Sequence, residues 1–360
     1  MTTGLPEILP RVPVTCFFEI TDACNLRCVH CWAAAGERAP DELGTDEALD
    51  AIAQVATAGC RTLRLTGGEP LTRPDWPLLA RRASDLGLEV SIITNGTLVD
   101  EAVVSRMCEA GVANVRVSLD GEKDVHDAIR VPAHSGLGSV HDRAIRALML
   151  ARAAGLKTAV ITQIHKRNLT SLAAIHDTVA ATGADEWQVQ IAMPMGRMLL
   201  LRYEYLIEPR DLPRLEADLA ALADRGAMRI AVTDNIGYYG RLEPRIRGAR
   251  SGKPIFFAGC TAGCRVVAIR SNGEVKGCPS HPAPFVVGSL RVERFADIWG
   301  DRSRFAYNTA FEAENLQGGC RECTFRRVCR AGCRSMAFAV TGTIYDNPFC
   351  MQRVHAAEAK

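Results

Sequence analysis

The feature that most constrains this chain is the number and placement of its cysteines. The 360 residues contain 14 cysteines, and none of them lies between positions 109 and 259. Three fall close together at Cys24, Cys28 and Cys31, and eight more occupy the stretch from Cys260 to Cys350. In a reducing compartment, grouped cysteines are metal ligands or catalytic thiols more often than disulfides. The chain is therefore expected to fold around metal centres at two places.

The rest of the composition is typical of a globular protein. Lys and Arg number 43 against 41 Asp and Glu, 48% of residues are hydrophobic, and the net charge of +2 argues against nucleic acid as a partner. No apolar run approaches the roughly 18 residues that a membrane span needs. The N-terminus lacks the basic and apolar segments of a secretory signal. We therefore expect a cytoplasmic protein with no membrane partner.

Residues 14 to 235 alternate short β-rich runs with amphipathic segments, a pattern typical of βα units around a parallel sheet. Glycines mark several strand-to-helix turns, where βα barrels carry their chemistry. The sequence therefore predicts an α/β fold with about six such units. The predicted strands are Val14–Ile20, Thr62–Leu65, Glu89–Ile93, Asn114–Leu119, Lys157–Ile164 and Glu186–Ile191, and the predicted helices are Asp46–Ala58, Pro74–Leu86, Val99–Ala110, Ser139–Ala154, Leu169–Ala181 and Pro209–Arg225.

The first cysteine group has the spacing Cys24-x3-Cys28-x2-Cys31 and follows the first predicted strand. Three thiolates in one loop can reach three irons of a cubane iron–sulfur cluster, which leaves the fourth iron without a protein ligand. A small molecule can bind at that open iron. A structural zinc loop is the alternative; it needs a fourth ligand, for which His30 is adjacent.

At these residues the sequence resembles the radical S-adenosylmethionine (SAM) superfamily, whose partial βα barrel carries CxxxCxxC after its first strand. The resemblance covers residues 14 to 235 and implies a partial (β/α)6 TIM-like barrel. In that family the amine and carboxylate of SAM chelate the open iron. Reductive cleavage of SAM then gives a 5′-deoxyadenosyl radical that abstracts hydrogen from a C–H bond. The resemblance thus implies a radical SAM oxidoreductase.

Motifs at the following strand ends are similar to those of the same family. In Thr66-Gly67-Gly68-Glu69-Pro70 the glycines allow close backbone approach, and the carboxylate can accept hydrogen bonds from the SAM ammonium group. Thr94-Asn95-Gly96 and Ser118-Leu119-Asp120-Gly121 resemble further SAM contacts, although Asn-Gly and Asp-Gly also form turns without a ligand. The resemblance implies SAM binding by His30, Gly67, Gly68, Glu69, Thr94, Asn95, Ser118, Asp120, Arg130 (at the carboxylate) and Gln163 (near the adenine).

The second cysteine group has eight members, enough for two four-cysteine sites. Its spacing resembles the SPASM extension of radical SAM enzymes, which holds two auxiliary [4Fe-4S] clusters. Disulfides or zinc sites are the alternative. The expected cofactors are SAM and three [4Fe-4S] clusters, with Cys24, Cys28 and Cys31 at the first, Cys260, Cys264, Cys278 and Cys333 at the auxiliary cluster near the barrel, and Cys320, Cys323, Cys329 and Cys350 at the distal one.

This assignment divides the chain into five parts. They are an N-terminal extension (1–13), a radical SAM barrel (14–235), a linker (236–259), a SPASM domain (260–354) and a tail (355–360). The three remaining cysteines, Cys16, Cys60 and Cys108, are predicted to be buried as small hydrophobic residues. His126 is predicted to lie in a loop or at the surface.

The leading hypothesis for the substrate is a ribosomally made peptide. SPASM enzymes resemble one another in crosslinking, decarboxylating or oxidising such peptides, so we expect a peptide maturase. Formylglycine-forming members carry an Asp base where this chain has Pro279, which disfavours that oxidation. With 23 residues before Cys24, we expect a separate leader-peptide-recognition protein or direct docking. The auxiliary clusters are expected to accept the substrate electron or bind the substrate, and a flavodoxin or ferredoxin is the expected reductant.

A base that deprotonates the substrate is expected near the entrance to the second domain. The candidates are Asp234, Tyr238 and Tyr239, with Arg197 beside them. Tyrosines between an apolar strand and a linker also pack as ordinary core residues.

Two other classes of function stay open. One is a small-molecule enzyme, either an aminoglycoside dehydrogenase or a decarboxylase of a haem precursor. A basic pocket would favour the polycarboxylate porphyrin, and an acidic pocket the cationic sugar. The basic run from Arg241 to Lys253 favours an anionic partner, or it is a solvated linker face. The other class is an iron–sulfur electron carrier, which would not need the SAM-binding turns.

Overall fold

The computed structural model describes residues 12–233, 235–248 and 255–358, so the candidate base Asp234 lies outside the described residues. Parts of the N-terminal extension, linker and tail also lie outside them. The strands are β1 (Thr15–Thr21), β2 (Thr62–Gly67), β3 (Glu89–Thr94), β4 (Val112–Ser118), β5 (Lys157–Ile164), β6 (Glu186–Ile191), β7 (Arg229–Val232), β8 (Val266–Ile269), β9 (Glu274–Lys276) and β10 (Val286–Ser289).

Helices follow most of the strands in the first two thirds of the chain and become short in the last third. They are α1 (Thr45–Thr57), α2 (Trp76–Asp85), α3 (Glu101–Glu109), α4 (Lys123–Ile129), α5 (Val140–Ala153), α6 (Leu172–Thr182), α7 (Met198–Tyr205), α8 (Leu212–Asp224), α9 (Glu243–Gly248), α10 (Phe295–Gly300), α11 (Ala306–Thr309), α12 (Gly318–Arg321), α13 (Arg326–Cys329), α14 (Arg334–Thr341) and α15 (Met351–Glu358).

All the described strands belong to one sheet in the order β10-β9-β8-β1-β2-β3-β4-β5-β6-β7. The pairs from β1 through β7 are parallel, and β8 adds to the other edge of β1, also in parallel. β9 and β10 then turn back as antiparallel strands. The sheet is an open, partial TIM-like barrel that continues into the cysteine-rich C-terminal region, and the predicted α/β fold is confirmed.

The barrel strands separate an apolar layer from a polar interior. Alternate residues such as Phe18, Leu65 and Val117 are fully buried in the core that the helices cover. The residues between them include Arg64 and Arg116, so the lumen of the barrel is polar. This two-residue alternation is the usual periodicity of strands.

Side-chain caps fix the starts of two of the covering helices. Asp100 accepts a hydrogen bond from the backbone N–H of Val103 at α3, and Ser139 accepts one from Asp142 at α5. Each such cap is worth about 1 kcal/mol.

The six predicted strands are present, and the bounds of β5 and β6 match the prediction. The sequence missed β7 to β10, which have three or four residues each and are too short to show a period. It also missed α4 and α7. Cys16 and Cys60 are buried as predicted, but the prediction for Cys108 is wrong because its place near the end of α3 faces solvent. The prediction for His126 is also wrong, since α4 buries it completely.

Candidate active site

The loop between β1 and α1 brings Cys24, Cys28 and Cys31 together around the buried side chains of Leu26 and Val140. Burial raises the pKa of the Cys24 thiol to about 12 and that of Cys28 to about 11. The free thiols therefore hold their protons at neutral pH, and any metal that binds them must release those protons. We call this segment the first cysteine loop.

Arg197, one of the sequence candidates, anchors the first cysteine loop from the far side of the barrel. Its Nε donates to the carbonyl oxygen of Cys28 at 2.8 Å and its Nη1 donates to that of Ala35 at 2.9 Å. The preceding Gly196 lies so close that an added Cβ would sit 2.4 Å from the carbonyl oxygen of Cys31. These contacts make Arg197 a residue that positions the loop.

The turn after β2 also packs directly on the first cysteine loop. A Cβ at Gly67 would lie 2.2 Å from the carbonyl oxygen of Thr21, and one at Gly68 would lie 2.1 Å from that of Ala23. Gly67 additionally has a φ of +134°, a conformation that L-residues with side chains rarely adopt. The two glycines thus let the backbone of this turn approach the end of β1 and the start of the first cysteine loop, whereas their predicted contact with SAM stays a prediction.

Glu69 is fully buried behind these glycines. Its carboxylate accepts hydrogen bonds from the backbone N–H of Leu71 at 3.2 Å, the hydroxyl of Thr94 at 2.7 Å and the backbone N–H of Asn95 at 2.7 Å. Burial nevertheless raises the pKa of Glu69 to about 7. An ionised carboxylate has about four acceptor sites, so one remains for a further donor.

Two residues that the sequence analysis missed join this network to the first cysteine loop. Asn25, between the first two cysteines, accepts a hydrogen bond from Asn95 at 2.9 Å and donates one to Thr97 at 2.8 Å. Asn95 in turn accepts from the backbone N–H of Thr97 at 2.9 Å. Asn25 was visible within the CxxxCxxC motif, but its partners lie about 70 residues away and gave no local signal.

A buried charge cluster lies on the other side of the loop. Asp120 accepts hydrogen bonds from Arg130 Nε at 2.7 Å and from the backbone N–H of Gln163 at 2.8 Å, and His30 Nε2 lies 3.1 Å from it. Burial alone would raise the pKa of Asp120, but Arg130 and His30 hold it well below its usual value. Arg130 Nη1 also lies 3.9 Å from the sulfur of Cys28. The structure thus places a cation beside the loop, and the buried carboxyl group of Glu69 lies near that cation.

The remaining predicted SAM contacts differ in their surroundings. Ser118 is the last residue of β4 and Gln163 lies next to the last residue of β5. Both side chains are partly buried and have no hydrogen-bond partner among the described residues, so they can meet a ligand in the lumen. Asn168, which the sequence analysis missed, supports this edge by donating to the backbone oxygens of Asp120 at 2.7 Å and Gln163 at 2.9 Å.

Four of the C-terminal cysteines line one cavity of about 620 Å³. Burial raises the pKa of the Cys329 thiol far above its usual value and that of Cys350 to about 12. The cavity has room for a cubane cluster, and its four thiols are those that the sequence grouped at the distal site. We call this space, which is lined by Cys320, Cys323, Cys329 and Cys350, the distal cavity.

Three of the other four C-terminal cysteines lie around Tyr307. Tyr307 is close enough to Cys260, Cys264 and Cys278 for their charges to raise its pKa further above the value set by its burial. Ser280 links the last of these to the segment after Cys333, because its hydroxyl contacts the Cys278 sulfur at 3.3 Å and donates to Ser335 at 3.0 Å. The assignment of Cys333 to the same cluster as Cys260, Cys264 and Cys278 stays a prediction, because Cys333 itself packs beside Tyr238 and Cys329.

The structure places Tyr238 and Tyr239 beside the C-terminal cysteines. The hydroxyl of Tyr238 accepts a hydrogen bond from the backbone N–H of Cys333 at 2.9 Å, and its ring lines the distal cavity. Tyr239 stacks on Phe325 with ring centroids 4.0 Å apart and donates to the carbonyl oxygen of Phe257 at 2.7 Å. These contacts favour a packing role for both tyrosines over that of a base.

Lys276, which sequence analysis did not single out, joins the two metal-binding regions. Its ammonium group lies 5.6 Å from the ring centroid of Trp32, which follows Cys31 in the first cysteine loop, and donates to the carbonyl oxygen of Pro279 at 2.8 Å. It also lies 3.7 Å from the buried carboxylate of Glu19. The first cysteine loop and the Cys278 segment are thus held by one buried side chain.

Comparisons with known proteins agree with this geometry. Residues 18–179 match the sequence model of the radical SAM superfamily, and residues 260–324 match that of SPASM, an iron–sulfur cluster-binding domain. An AdoMet-dependent heme synthase of Methanosarcina barkeri is 31% identical over 360 residues, which cover 96% of this chain and 98% of the relative. The chain belongs to the radical SAM superfamily. It is a radical SAM enzyme with a C-terminal SPASM domain, and this membership implies [4Fe-4S] clusters and SAM as cofactors.

Two further similarities were found. A PqqA peptide cyclase of Granulibacter bethesdensis is 28% identical over 346 residues, covering 94% of this chain and 87% of the relative. The solved structure of native anSMEcpe with bound AdoMet and Kp18Cys peptide has a TM-score of 0.73 at 18% identity, covering 96% of this chain and 95% of that one. At this identity the second likeness supports the fold alone.

In the described part of the chain, no helix is long and apolar enough to cross a membrane.

Proposed function

We propose that this radical SAM enzyme is a maturase that removes hydrogen from a ribosomally made peptide and leaves it crosslinked or otherwise oxidised. The observation that carries the proposal is an exposed apolar ridge on α7. Leu200 is 86% exposed and Tyr203 80% exposed, and Leu199 and Leu201 are exposed beside them. Apolar patches of this kind mark surfaces that bind other molecules.

The position of the ridge connects it to the chemistry. α7 begins directly after Gly196 and Arg197, which hold the first cysteine loop. A peptide lying along the ridge could bury its apolar side chains there while one residue reaches into the polar lumen. A polar sugar has less apolar surface than a peptide to bury on the ridge.

The described residues also divide the work of holding the cofactors. When bound, the first cluster and SAM supply a 5′-deoxyadenosyl radical that abstracts hydrogen from the substrate. We propose that Cys24, Cys28 and Cys31 hold that cluster and that Glu69 and Arg130 orient the ammonium and carboxylate groups of SAM. His30, Asp120 and Gln163 keep Arg130 in place, and the eight C-terminal cysteines hold two auxiliary clusters.

The name of the Granulibacter relative, a PqqA peptide cyclase, supports a peptide substrate for this chain. We extend the proposal to its setting: a cytoplasmic oxidoreductase, reduced by a flavodoxin or ferredoxin and helped by a separate protein that recognises the leader peptide.

The test is co-expression under anaerobic conditions with each peptide encoded by a short reading frame beside the gene. Mass spectrometry should show loss of paired hydrogens from one peptide, and the Cys28→Ala variant should show none. If no candidate peptide changes mass while SAM is still cleaved to 5′-deoxyadenosine, the peptide proposal is wrong.

A matched pair of variants tests the ridge itself. Leu200→Asp should lower peptide modification at least about tenfold, because a charge replaces an apolar contact, while SAM cleavage without peptide stays unchanged. Val292→Asp is the control, since Val292 is 84% exposed but lies in the C-terminal region. Equal loss of peptide modification in the two variants would show that the ridge does not bind the peptide.

A second candidate is decarboxylation of a haem precursor. The observation in its favour is the heme synthase from Methanosarcina barkeri, which is matched over 98% of its length. The basic run after Arg241 supports it less, because Arg245 pairs with Asp224 and Arg247 with Glu243. Arg250 and Lys253 lie outside the described residues. Loss of carbon dioxide from a polycarboxylate porphyrin, followed by mass spectrometry, would establish this reaction in place of peptide maturation.

A further inference from the structure

A polar cavity of about 360 Å³ lies among the first residues of the barrel strands. Thr62, Glu89 and Lys157, which begin β2, β3 and β5, line it together with Arg229, the first residue of β7. The first cysteine loop and the turn of Gly67 and Gly68, which we call the glycine turn, lie at the opposite end of the barrel. We call this space the floor cavity, and the cofactor chemistry described above does not use it.

Four buried polar atoms on the wall of the floor cavity have no hydrogen-bond partner among the described residues. They are the Nε atoms of Arg64 and Arg116, the hydroxyl of Ser91 and the hydroxyl of Thr158. Buried polar atoms in folded proteins nearly always have a partner, so orphaned atoms grouped on one cavity need a partner inside it, either ordered water or a bound molecule. All four can donate a hydrogen bond.

Arg64 is the residue that most needs a partner. No acceptor among the described residues hydrogen-bonds to its guanidinium group, which lies 5.0 Å from the ring centroid of Phe17. Burial, and then the nearby positive charge of Arg116, lower the pKa of Arg64 to about 10. A negative charge in the cavity would relieve both effects.

The carboxylates at the cavity are held by other donors, and none of them hydrogen-bonds to Arg64 among the described residues. Glu89 accepts from Asn114 at 2.7 Å, Asp185 accepts from the backbone N–H of Thr158 at 2.9 Å, and Glu186 pairs with Arg116 and Arg229. The acids are thus engaged while one guanidinium group is not.

We propose that the floor cavity binds a small oxyanion, a carboxylate or a phosphate, through the guanidinium group of Arg64 with help from Arg116, Ser91 and Thr158. Planar guanidinium groups bind such oxyanions through paired hydrogen bonds. The same chemistry has two sources: a free anion from solution, or a carboxylate of the substrate that reaches down the lumen.

The experiment measures binding of inorganic phosphate to the anaerobic holoenzyme by calorimetry, at constant ionic strength. Arg64→Met removes the charge but keeps an unbranched apolar stem against Phe17. The matched control is Arg106→Met, because Arg106 also lies over an aromatic ring, that of Trp76, on the outside of the barrel. Ser91→Ala is a second, milder variant that removes only one hydroxyl. Iron content and SAM cleavage confirm that each variant is folded and loaded.

The wild type and Arg106→Met should bind phosphate saturably, and Arg64→Met should bind it at least about tenfold more weakly. Ser91→Ala should weaken binding by a smaller factor. Absence of saturable binding in the wild type, or equal affinity in Arg64→Met, would overturn the proposal. Phosphate that competes with the modified substrate identifies a substrate carboxylate as the occupant, and phosphate that binds without competition identifies a free anion.

Discussion

The two cysteine-rich regions of this enzyme are built in opposite ways. The first cysteine loop sits among the ends of the barrel strands and is held by Arg197, Asn25 and the glycine turn after β2. The C-terminal region from Cys260 onward has strands of three or four residues and helices of four to eight. The first cysteine loop is held in place by contacts with the rest of the protein, whereas the C-terminal region has little regular secondary structure to hold its cysteines.

This difference follows from the energetics of short elements. Helices as short as α11, α12 and α13 gain too few internal hydrogen bonds to offset their nucleation, so they depend on tertiary contacts. Around the distal cavity those contacts would come from a cluster, because metal binding that organises a segment contributes its free energy to folding. The comparison therefore predicts that loss of metal affects the two regions unequally.

The largest effect is expected when a distal cysteine is removed. Cys350→Ala should leave an incomplete ligand set, and the segment from residue 310 to 358 should lose protection from hydrogen exchange. Cys28→Ala should abolish formation of 5′-deoxyadenosine but leave exchange in the barrel strands within error of the wild type. Hydrogen exchange followed by mass spectrometry, with iron analysis of each variant, measures both.

The opposite result would show that the two regions depend on metal to the same extent. If Cys350→Ala keeps full iron content and native exchange, the distal cavity does not hold a cluster. If Cys28→Ala unprotects β1 and β2, the first cysteine loop depends on its metal as much as the C-terminal region does.

A smaller effect is expected from filling the turn that supports the first cysteine loop. Gly68→Ala would push a methyl group against the carbonyl oxygen of Ala23, and neither group belongs to a flexible side chain. We expect a loss of about 3 kcal/mol in the free energy of unfolding together with loss of SAM cleavage. Urea denaturation and an assay for 5′-deoxyadenosine measure the two effects.

Gly300→Ala is the control, because nothing lies within 4 Å of a Cβ at that position. It should change stability by less than about 1 kcal/mol and keep full activity. A Gly68→Ala enzyme as active as this control would show that the turn does not position the loop.

The smallest effect concerns pH. Burial, and then the positive charge of Arg130, lower the pKa of His126 to about 3, and its Nδ1 accepts a hydrogen bond from the backbone N–H of Asp120 at 3.0 Å. His126 takes up a proton near pH 6.5 in the unfolded chain but not in the folded chain. Its contribution to the free energy of unfolding is therefore fully present above pH 6.5 and is lost as the pH falls toward 3. The slope from this residue is about 1.4 kcal/mol per pH unit.

Unfolding in urea between pH 7 and pH 5 measures this slope as the difference between the wild type and a variant without His126, because His165 and His281 also have lowered pKa values and contribute equally in both proteins. His126→Asn keeps an acceptor near the Asp120 amide but does not titrate in this range, so its stability should fall less steeply. Identical slopes for the two proteins would mean that His126 does not contribute to the acid sensitivity of the barrel.

The sequence predicted the parts of this enzyme that depend on local pattern. The barrel strands alternate apolar and polar residues, and β5 and β6 were predicted to the residue. The first cysteine loop and its glycine turn were recognised from spacing. The contacts of Arg197, Asn25 and Lys276 were missed because each joins segments far apart in the chain. β8 was missed because four residues show no period, although it extends the sheet along β1.

The pairing of β8 with β1 also sets an order of events on the ribosome. Thr15–Phe18 pairs with Val266–Ile269, so one edge of the first strand stays open until residue 269 has been synthesised. At about 5–20 residues per second, that interval lasts roughly ten to fifty seconds. During that time the nascent barrel carries an unpaired strand edge next to its first metal-binding loop. Translational stalling before β8 would therefore leave an intermediate prone to aggregate through that edge.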